Sequence, residues 1–175
     1  MATKLEQLKE WAKQNVTMID LLPNNSNLQV TTRLIDVLED EVDEKYYLSE
    51  EKTKKLVINL DSNKIIRVRE ATKQGYALAE RGDSVNVSYP TSKTRRGRVG
   101  KQVAQTLQAG EVNQGVVMGD IRIRKLVPIE TWRLQGFTDE QFYKAKESGV
   151  SNSQLYKQAG NAVSVPVVDA IVKCL

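Results

Sequence analysis

A chain of 175 residues with 40% hydrophobic content is long enough to bury a core, and its formal charge of +4 makes it mildly basic. It holds no histidine and one cysteine, Cys174, which excludes Ser-His and Cys-His nucleophile pairs, imidazole metal sites, an internal disulfide and a zinc cluster. No apolar run approaches the roughly 18 residues that span a membrane, and MATKLEQLKEWAKQ is too charged for a secretory leader. The chain is therefore expected to be soluble and cytoplasmic, with neither a catalytic nucleophile nor a metal site of its own.

Residues 3–14 place Leu5, Leu8, Trp11 and Ala12 on one face, which predicts a short amphipathic helix. A loop follows at Asn24-Asn25-Ser26-Asn27. The stretch TTRLIDVLEDEVDEKYYLS predicts a short acidic helix or turn, with Tyr46, Tyr47 and Leu48 packing inward. Its acids between Asp36 and Glu44 read as a solvated face. From Leu56 to Gln114 the texture changes to short β-branched segments, LVINL, KIIRVRE, YALAE and SVNVSYP, broken by Gly75, Gly82-Asp83 and Pro90. Further strands are predicted in VAQTL, QGVVM and DIRIRKL. In the last of these, Ile121, Ile123 and Leu126 alternate imperfectly with Arg122, Arg124 and Lys125, as in a half-buried strand.

After Pro128 the pattern becomes helical. PIETWRLQGF reads as a short helix with proline at its first position and Gly136 at its end. Glu130 and Arg133, one turn apart, are expected to pair with each other within the helix or across the core, and Trp132 and Phe137 to be buried. Thr138 and Gln141 form a capping-box signature for a helix ending near Gly149. Ser151 then caps a segment through Lys157 that Gly160 breaks. Pro166 falls in the first turn of a final helix whose Val163, Val167, Ala170 and Ile171 share a face, and Cys174 reads as a helix-end residue. The expected fold is α+β (mixed): a small irregular antiparallel β region followed by C-terminal helices.

Charge is unevenly spread. Asp36, Glu39, Asp40, Glu41, Asp43, Glu44, Glu50 and Glu51 outweigh Arg33 and Lys45 early on. Between Val85 and Leu134, Lys93, Arg95, Arg96, Arg98, Lys101, Arg122, Arg124, Lys125 and Arg133 face only Glu111, Asp120 and Glu130. Such a basic segment in a near-balanced chain is the footprint of a surface that meets a polyanion, or simply of a solvated basic face. Lys93, Arg95, Arg96, Arg98 and Lys101 alternate with Gly97 and Gly100, and Gln102, Gln105, Gln108, Asn113 and Gln114 follow. Arginine and lysine neutralise phosphates, while arginine and amide side chains can pair bidentately with guanine and adenine edges. These residue types suit a nucleic-acid loop, and they also occur in other anion-binding loops.

Two segments carry a resemblance. RKLVPIETWRLQGF, 124 to 137, resembles the ninth conserved motif of DNA cytosine-5 methyltransferases, close to R-x-L-T-P-R-E-x-x-R-L-Q-G-F. QAGNAVSVPV, 158 to 167, is similar to their tenth, Q-x-G-N-x-V-x-x-x-V, in the family's order. Residues 31–123 resemble the target-recognition region that precedes the ninth motif. The resemblance divides the chain into an N-terminal helix and linker (1–30), a DNA target-recognition region (31–123) and a helical segment with the two motifs (124–175). It implies double-stranded DNA as a partner and S-adenosylmethionine as cofactor of the complete enzyme. By position, Thr106 matches a residue that places the DNA backbone near the target base. Arg96 sits where a base-reading arginine can lie, and Lys93, Arg95, Arg98, Lys101 and Gln108 are the accompanying DNA-contact candidates. Asn161 and Ala162 match the edge of the cofactor pocket, although many members have a hydroxyl residue at the second position. In the ninth motif Arg124, Leu126, Pro128, Glu130, Arg133 and Gly136 match, whereas Val127 and Ile129 stand where threonine and arginine are usual.

The resemblance also implies a catalytic half with a glycine-rich cofactor loop, a Pro-Cys nucleophile, a Glu-Asn-Val segment and an arginine-rich motif. None of these occurs in the sequence, and no cysteine follows Pro23, Pro90, Pro128 or Pro166. Attack on a flipped-out cytosine needs that thiolate. The expected function is sequence-specific duplex DNA recognition as the C-terminal half of a methyltransferase, together with a catalytic half. Alternatives are a stand-alone DNA-binding or regulatory remnant, and an interaction module that binds no DNA.

Overall fold

The computed structural model describes residues 32–60, 65–109, 112–119 and 122–173, together with Thr3, Lys4 and Glu6. Apart from Thr3, Lys4 and Glu6, the helix expected over 3–14 lies outside the described residues, as do the loop at 24–27, Ile121 and Cys174. Two 3-10 turns, Leu34–Val37 and Glu44–Tyr46, lead into helix α1, Glu50–Leu56. The strands are β1 (Val57–Leu60), β2 (Ile66–Arg69), β3 (Tyr76–Ala79), β4 (Ser84–Asn86), β5 (Val99–Gly100), β6 (Gln114–Val117) and β7 (Ile123–Lys125). Helices α2 (Pro128–Leu134), α3 (Asp139–Glu147), α4 (Asn152–Asn161) and α5 (Val165–Lys173) follow. The fold is α+β, as expected.

Two antiparallel sheets form, in the orders β1-β2-β3 and β5-β4-β6-β7. The alternation in KIIRVRE puts Ile66 and Val68 inward against Ala79 and Ala77. One core cluster then spans both sheets: Leu56, Ile66, Val68, Ala79, Val85, Val117 and Ile123. A second joins the helices through Val127, Ile129, Trp132, Phe142, Leu155 and Ala159. Trp132 satisfies its indole N–H by donating to the Leu155 carbonyl at 3.0 Å, and its ring lies 5.1 Å from Phe137 and 5.6 Å from Phe142. The third cluster ties Leu34 and Val37 of the first turn to Val116 and Leu126. The acidic segment is thus an integral layer, and its partly buried Tyr47 and Leu48 cover the outer edge of β7.

Helix starts follow the local chemistry. Ser49 accepts from Lys52 N–H at the head of α1, Thr138 from Gln141 N–H at α3, and Ser151 from Gln154 N–H at α4. Pro128 occupies the first turn of α2.

Four expectations are corrected. VAQTL is not a strand: the chain leaves β5 through Gln102, whose φ is +56°. The side chain of Gln114 then acts in place of a strand partner, accepting from Gln105 N–H at 2.7 Å and donating to Gln105 C=O at 2.6 Å. Arg124 does not lie on a wet strand face but is fully buried. Glu130 and Arg133 do not pair with each other. Glu130 turns back to accept from Arg124, and Arg133 reaches Glu39 at 2.6 Å and Asp139 at 2.6 Å. The Arg133 bonds hold the Asp139 carboxyl below its ordinary value, against the opposing effect of burial.

Gly160, fourth, does not break α4, which continues to Asn161. A side chain at Gly160 would lie 2.5 Å from the backbone nitrogen of Ala109, because the loop at Gln108 and Ala109 rests directly on this turn. Gly160→Ala is therefore expected to lower stability by about 1–3 kcal/mol through overpacking, read by urea denaturation. A stability equal to that of the unaltered chain would show that the loop moves away freely.

Candidate nucleic-acid interface

Between β4 and β5 the chain makes a loop over residues 87–98 that carries most of the basic candidates. Arg98 organises it from beneath. Its side chain is fully buried, donating from Nη1 to the carbonyls of Asn86 at 3.0 Å and Ser88 at 2.9 Å, and from Nη2 to that of Tyr89 at 2.6 Å. Its own N–H donates to Glu70 at 2.9 Å. Desolvation pulls its pKa down, with Arg95 adding to this and Glu70 opposing it. Arg98 was expected to meet DNA; its guanidinium is instead spent on the loop's carbonyls, so it supports the loop from inside.

The other candidates lie at or near the surface. Lys93, Arg96, Lys101, Thr106 and Gln108 are exposed, and Arg95 is half-buried. Arg96 donates from Nε to the Ala71 carbonyl at 2.9 Å, which steadies its stem. The Lys101 ammonium lies 2.7 Å from Asp83, a buried carboxylate that also accepts from Gln102 and from Glu80 N–H. Lys93 borders a cleft of about 560 Å³ with Lys54, Lys55 and Arg69. The basic loop thus stands beside α1 rather than alone.

Sequence reasoning missed a second basic group. Lys52 of α1 and Lys125 of β7 line a cleft of about 480 Å³ with Tyr89 and Gln108. The same two lysines continue into a neighbouring cleft of about 800 Å³ that adds Lys45, Tyr46, Tyr156 and Lys157. No acid stands among the described residues lining either cleft. Lys45 is paired with Asp43 at 2.8 Å, but no carboxylate among the described residues pairs with Lys52, Lys125 or Lys157. Burial pushes the Tyr156 hydroxyl up, keeping it a donor to the Leu126 carbonyl at 2.8 Å. These lysines come from three distant parts of the chain, so no local run of sequence announces them.

Beneath the clefts sits a bidentate ion pair. Arg124 donates from Nη1 and Nη2 to Glu130 at 2.9 and 2.7 Å, with both side chains fully buried. Glu130 also accepts from the N–H groups of Val127 and Glu39, each at 2.8 Å. One carboxylate thereby joins β7, the start of α2 and the acidic segment.

Asn161 and Ala162 end α4, exposed and half-buried respectively. The final helix is tied on by the Val165 N–H, which donates to the Gln135 carbonyl at 2.8 Å, and by Pro166 packing against Gly136. Gly136 has φ +85°, and an added side chain there would meet Pro166 Cδ at 2.6 Å. Beyond this contact no residue of α5 is buried. Val165, Val167, Val168 and Val172 are 38–62% exposed, and Val163 just before them is 64% exposed.

Residues 3–175 match the family profile of C-5 cytosine-specific DNA methylases. The chain belongs to that family. It is 40% identical over 184 residues to the orphan methyltransferase M.SPBetaI of Bacillus phage SPbeta, covering 81% of this chain and 42% of that protein. The same figures hold for a putative type II methyltransferase, M.BsuMIIP, of Bacillus subtilis strain 168. With the orphan methyltransferase M.SPRI of Bacillus phage SPR it shares 29% identity over 246 residues, covering 97% of this chain and 56% of that protein. The chain therefore spans about two-fifths to just over half the length of these curated relatives.

Complete C-5 DNA methylases use S-adenosylmethionine. In this chain Asn161 and Ala162 place one polar side chain and one small apolar one at the end of α4. The chain thus presents, among the described residues, two acid-free clefts lined by lysines and a final helix with no buried residue. Among the described residues no helix is long and apolar enough to cross a membrane.

Proposed function

We propose that this chain is the target-recognition portion of a cytosine-5 DNA methyltransferase, carrying the family's ninth and tenth motifs, and that it binds duplex DNA sequence-specifically. It acts with a catalytic part that supplies the Pro-Cys nucleophile and the floor of the cofactor site. The observation that carries this reading is the final helix. α2, α3 and α4 close around a common core, yet α5 leaves its valines bare. An apolar helix face of this size on a folded chain is a surface for association.

In this reading, Lys93, Arg95, Arg96, Lys101 and Gln108 contact the DNA backbone or base edges, and Thr106 places the DNA backbone near the target base. Asn161 and Ala162 complete the rim of the S-adenosylmethionine site only in the assembled enzyme. Residues 31–123 are the recognition region and 124–175 the segment that connects it to the catalytic part. The chain alone transfers no methyl group, because it lacks the thiolate.

The test is duplex binding by the purified chain across a range of salt. Log affinity is expected to fall linearly with log salt, by about 0.9 for each phosphate neutralised. Changing Lys93, Arg95 and Arg96 together to glutamine is expected to flatten that slope by about 2–3. An unchanged slope and affinity would remove the loop from the interface, and no binding at any salt would remove the DNA reading.

A further inference from the structure

Tyr89 carries a feature that DNA binding by charge does not explain. Its backbone is left-handed, with φ +47°, a region that bulky residues rarely enter. It also precedes Pro90, a position that ordinarily enforces an extended backbone. Strained residues persist only where the surroundings impose them. Here the imposition is plain: the Tyr89 carbonyl accepts from the buried Arg98 guanidinium at 2.6 Å and from Ser92 N–H at 2.9 Å. Arg98 binds the carbonyls of Asn86 and Ser88 as well, and Asn86 Oδ1 accepts from Ser88 N–H at 3.1 Å. The whole corner is over-determined from below.

Among the described residues the ring gains nothing in return. Its side chain is 74% exposed, more than any other large apolar or aromatic residue among those described. Neither ring stacking nor a hydroxyl hydrogen bond holds it. What it does border is the cleft of about 480 Å³ with Lys52, Lys125 and Gln108.

We propose that Tyr89 is a positioned DNA-contact residue, and that the cleft beside it is a nucleotide subsite. The ring packs on a deoxyribose face or against a base edge, and Lys52 and Lys125 each take an adjoining phosphate. This rests on the DNA-binding reading above and adds to it a contact outside the loop's own cationic side chains. Charge complementarity selects the occupant: the lining described is cationic and acid-free, which suits a polyanion, and an exposed aromatic ring in such a groove is the usual platform for a nucleotide. Arg98 is the positioning residue that aims it.

The test uses the full chain, a labelled duplex and fluorescence anisotropy, with Tyr89→Gly, Tyr89→Asn and Tyr89→Phe. Glycine and asparagine both tolerate a left-handed backbone, so both variants are expected to melt no lower than the unaltered chain. Their DNA affinity is nevertheless expected to fall about tenfold, and phenylalanine to restore it to within about twofold. Lys52→Gln with Lys125→Gln is expected to flatten the salt slope by about 1.8.

Gly and Asn variants that bind DNA as the unaltered chain does would overturn the proposal while leaving the DNA reading intact. The same result accompanied by weaker association with a catalytic part would assign the cleft to a protein and also overturn it. A Phe variant as weak as the Gly variant would point to the hydroxyl instead of the ring, against the proposal. No DNA binding by the unaltered chain would remove both readings.

Discussion

Glu130→Ala is expected to destabilise the chain by about 3–5 kcal/mol, measured by urea denaturation. The carboxylate is fully buried and receives four donors: two from Arg124 and one each from the N–H groups of Val127 and Glu39. Removing it leaves the buried Arg124 charge without its partner, which is the costly way to break such a pair. A control separates the ion pair from the backbone contacts. Arg124→Met with Glu130→Leu removes both charges, a change that is often neutral where the pair alone is at stake. Here the two backbone N–H groups would still lose their acceptor, at about 1 kcal/mol each. The double variant is therefore expected to recover only part of the loss. Full recovery would mean that Glu130 serves Arg124 alone and does not fasten the acidic segment to α2.

Val168→Asp is expected to leave the stability of the isolated chain within about 0.5 kcal/mol of its starting value, as surface substitutions usually do. Val168 is 46% exposed, and α5 buries no residue. Its effect should appear on assembly with a catalytic part. Val165, Val168 and Val172 fall at helical spacing on one face, and an aspartate among them would carry an unpaired charge into an apolar contact. Loss of association by at least about a hundredfold is expected, read by titration calorimetry. Loss of folding in the isolated chain instead would mean that α5 packs on this chain and is not awaiting a partner.

The architecture was largely legible because its signals are local. The β-branched runs, the capping residues Thr138 and Ser151, and Pro128 at a helix start act within a few residues of themselves. What escaped depends on pairings between distant segments. Glu130 and Arg133 have the spacing of a helix pair, yet a carboxylate in the first turn of α2 faces back toward Val127 N–H, where Arg124 arrives from β7. Gly160 reads as a breaker until the loop at Gln108 and Ala109 is seen resting on it.

The site followed the same division. A cluster of arginines and glycines marks a basic loop, but sequence does not say which arginine faces inward. Arg98 differs from Arg95 and Arg96 because Asn86 at the end of β4, and Ser88 and Tyr89 just after it, bring three carbonyls onto it. Lys52, Lys125 and Lys157 meet only through the fold. Positive φ at Tyr89 has no signature in sequence at all, since the following Pro90 argues for an extended residue.

The central proposal is that this chain is the target-recognition part of a cytosine-5 methyltransferase and works with a catalytic part. It is tested most directly by adding the purified chain to a catalytic fragment that bears a Pro-Cys segment, and measuring transfer of labelled methyl groups from S-adenosylmethionine to duplex DNA. Neither piece alone is expected to label DNA, and the mixture is expected to label cytosine at the 5-position. Methylation by this chain alone, or none from a mixture in which the two pieces are shown to associate, would contradict it.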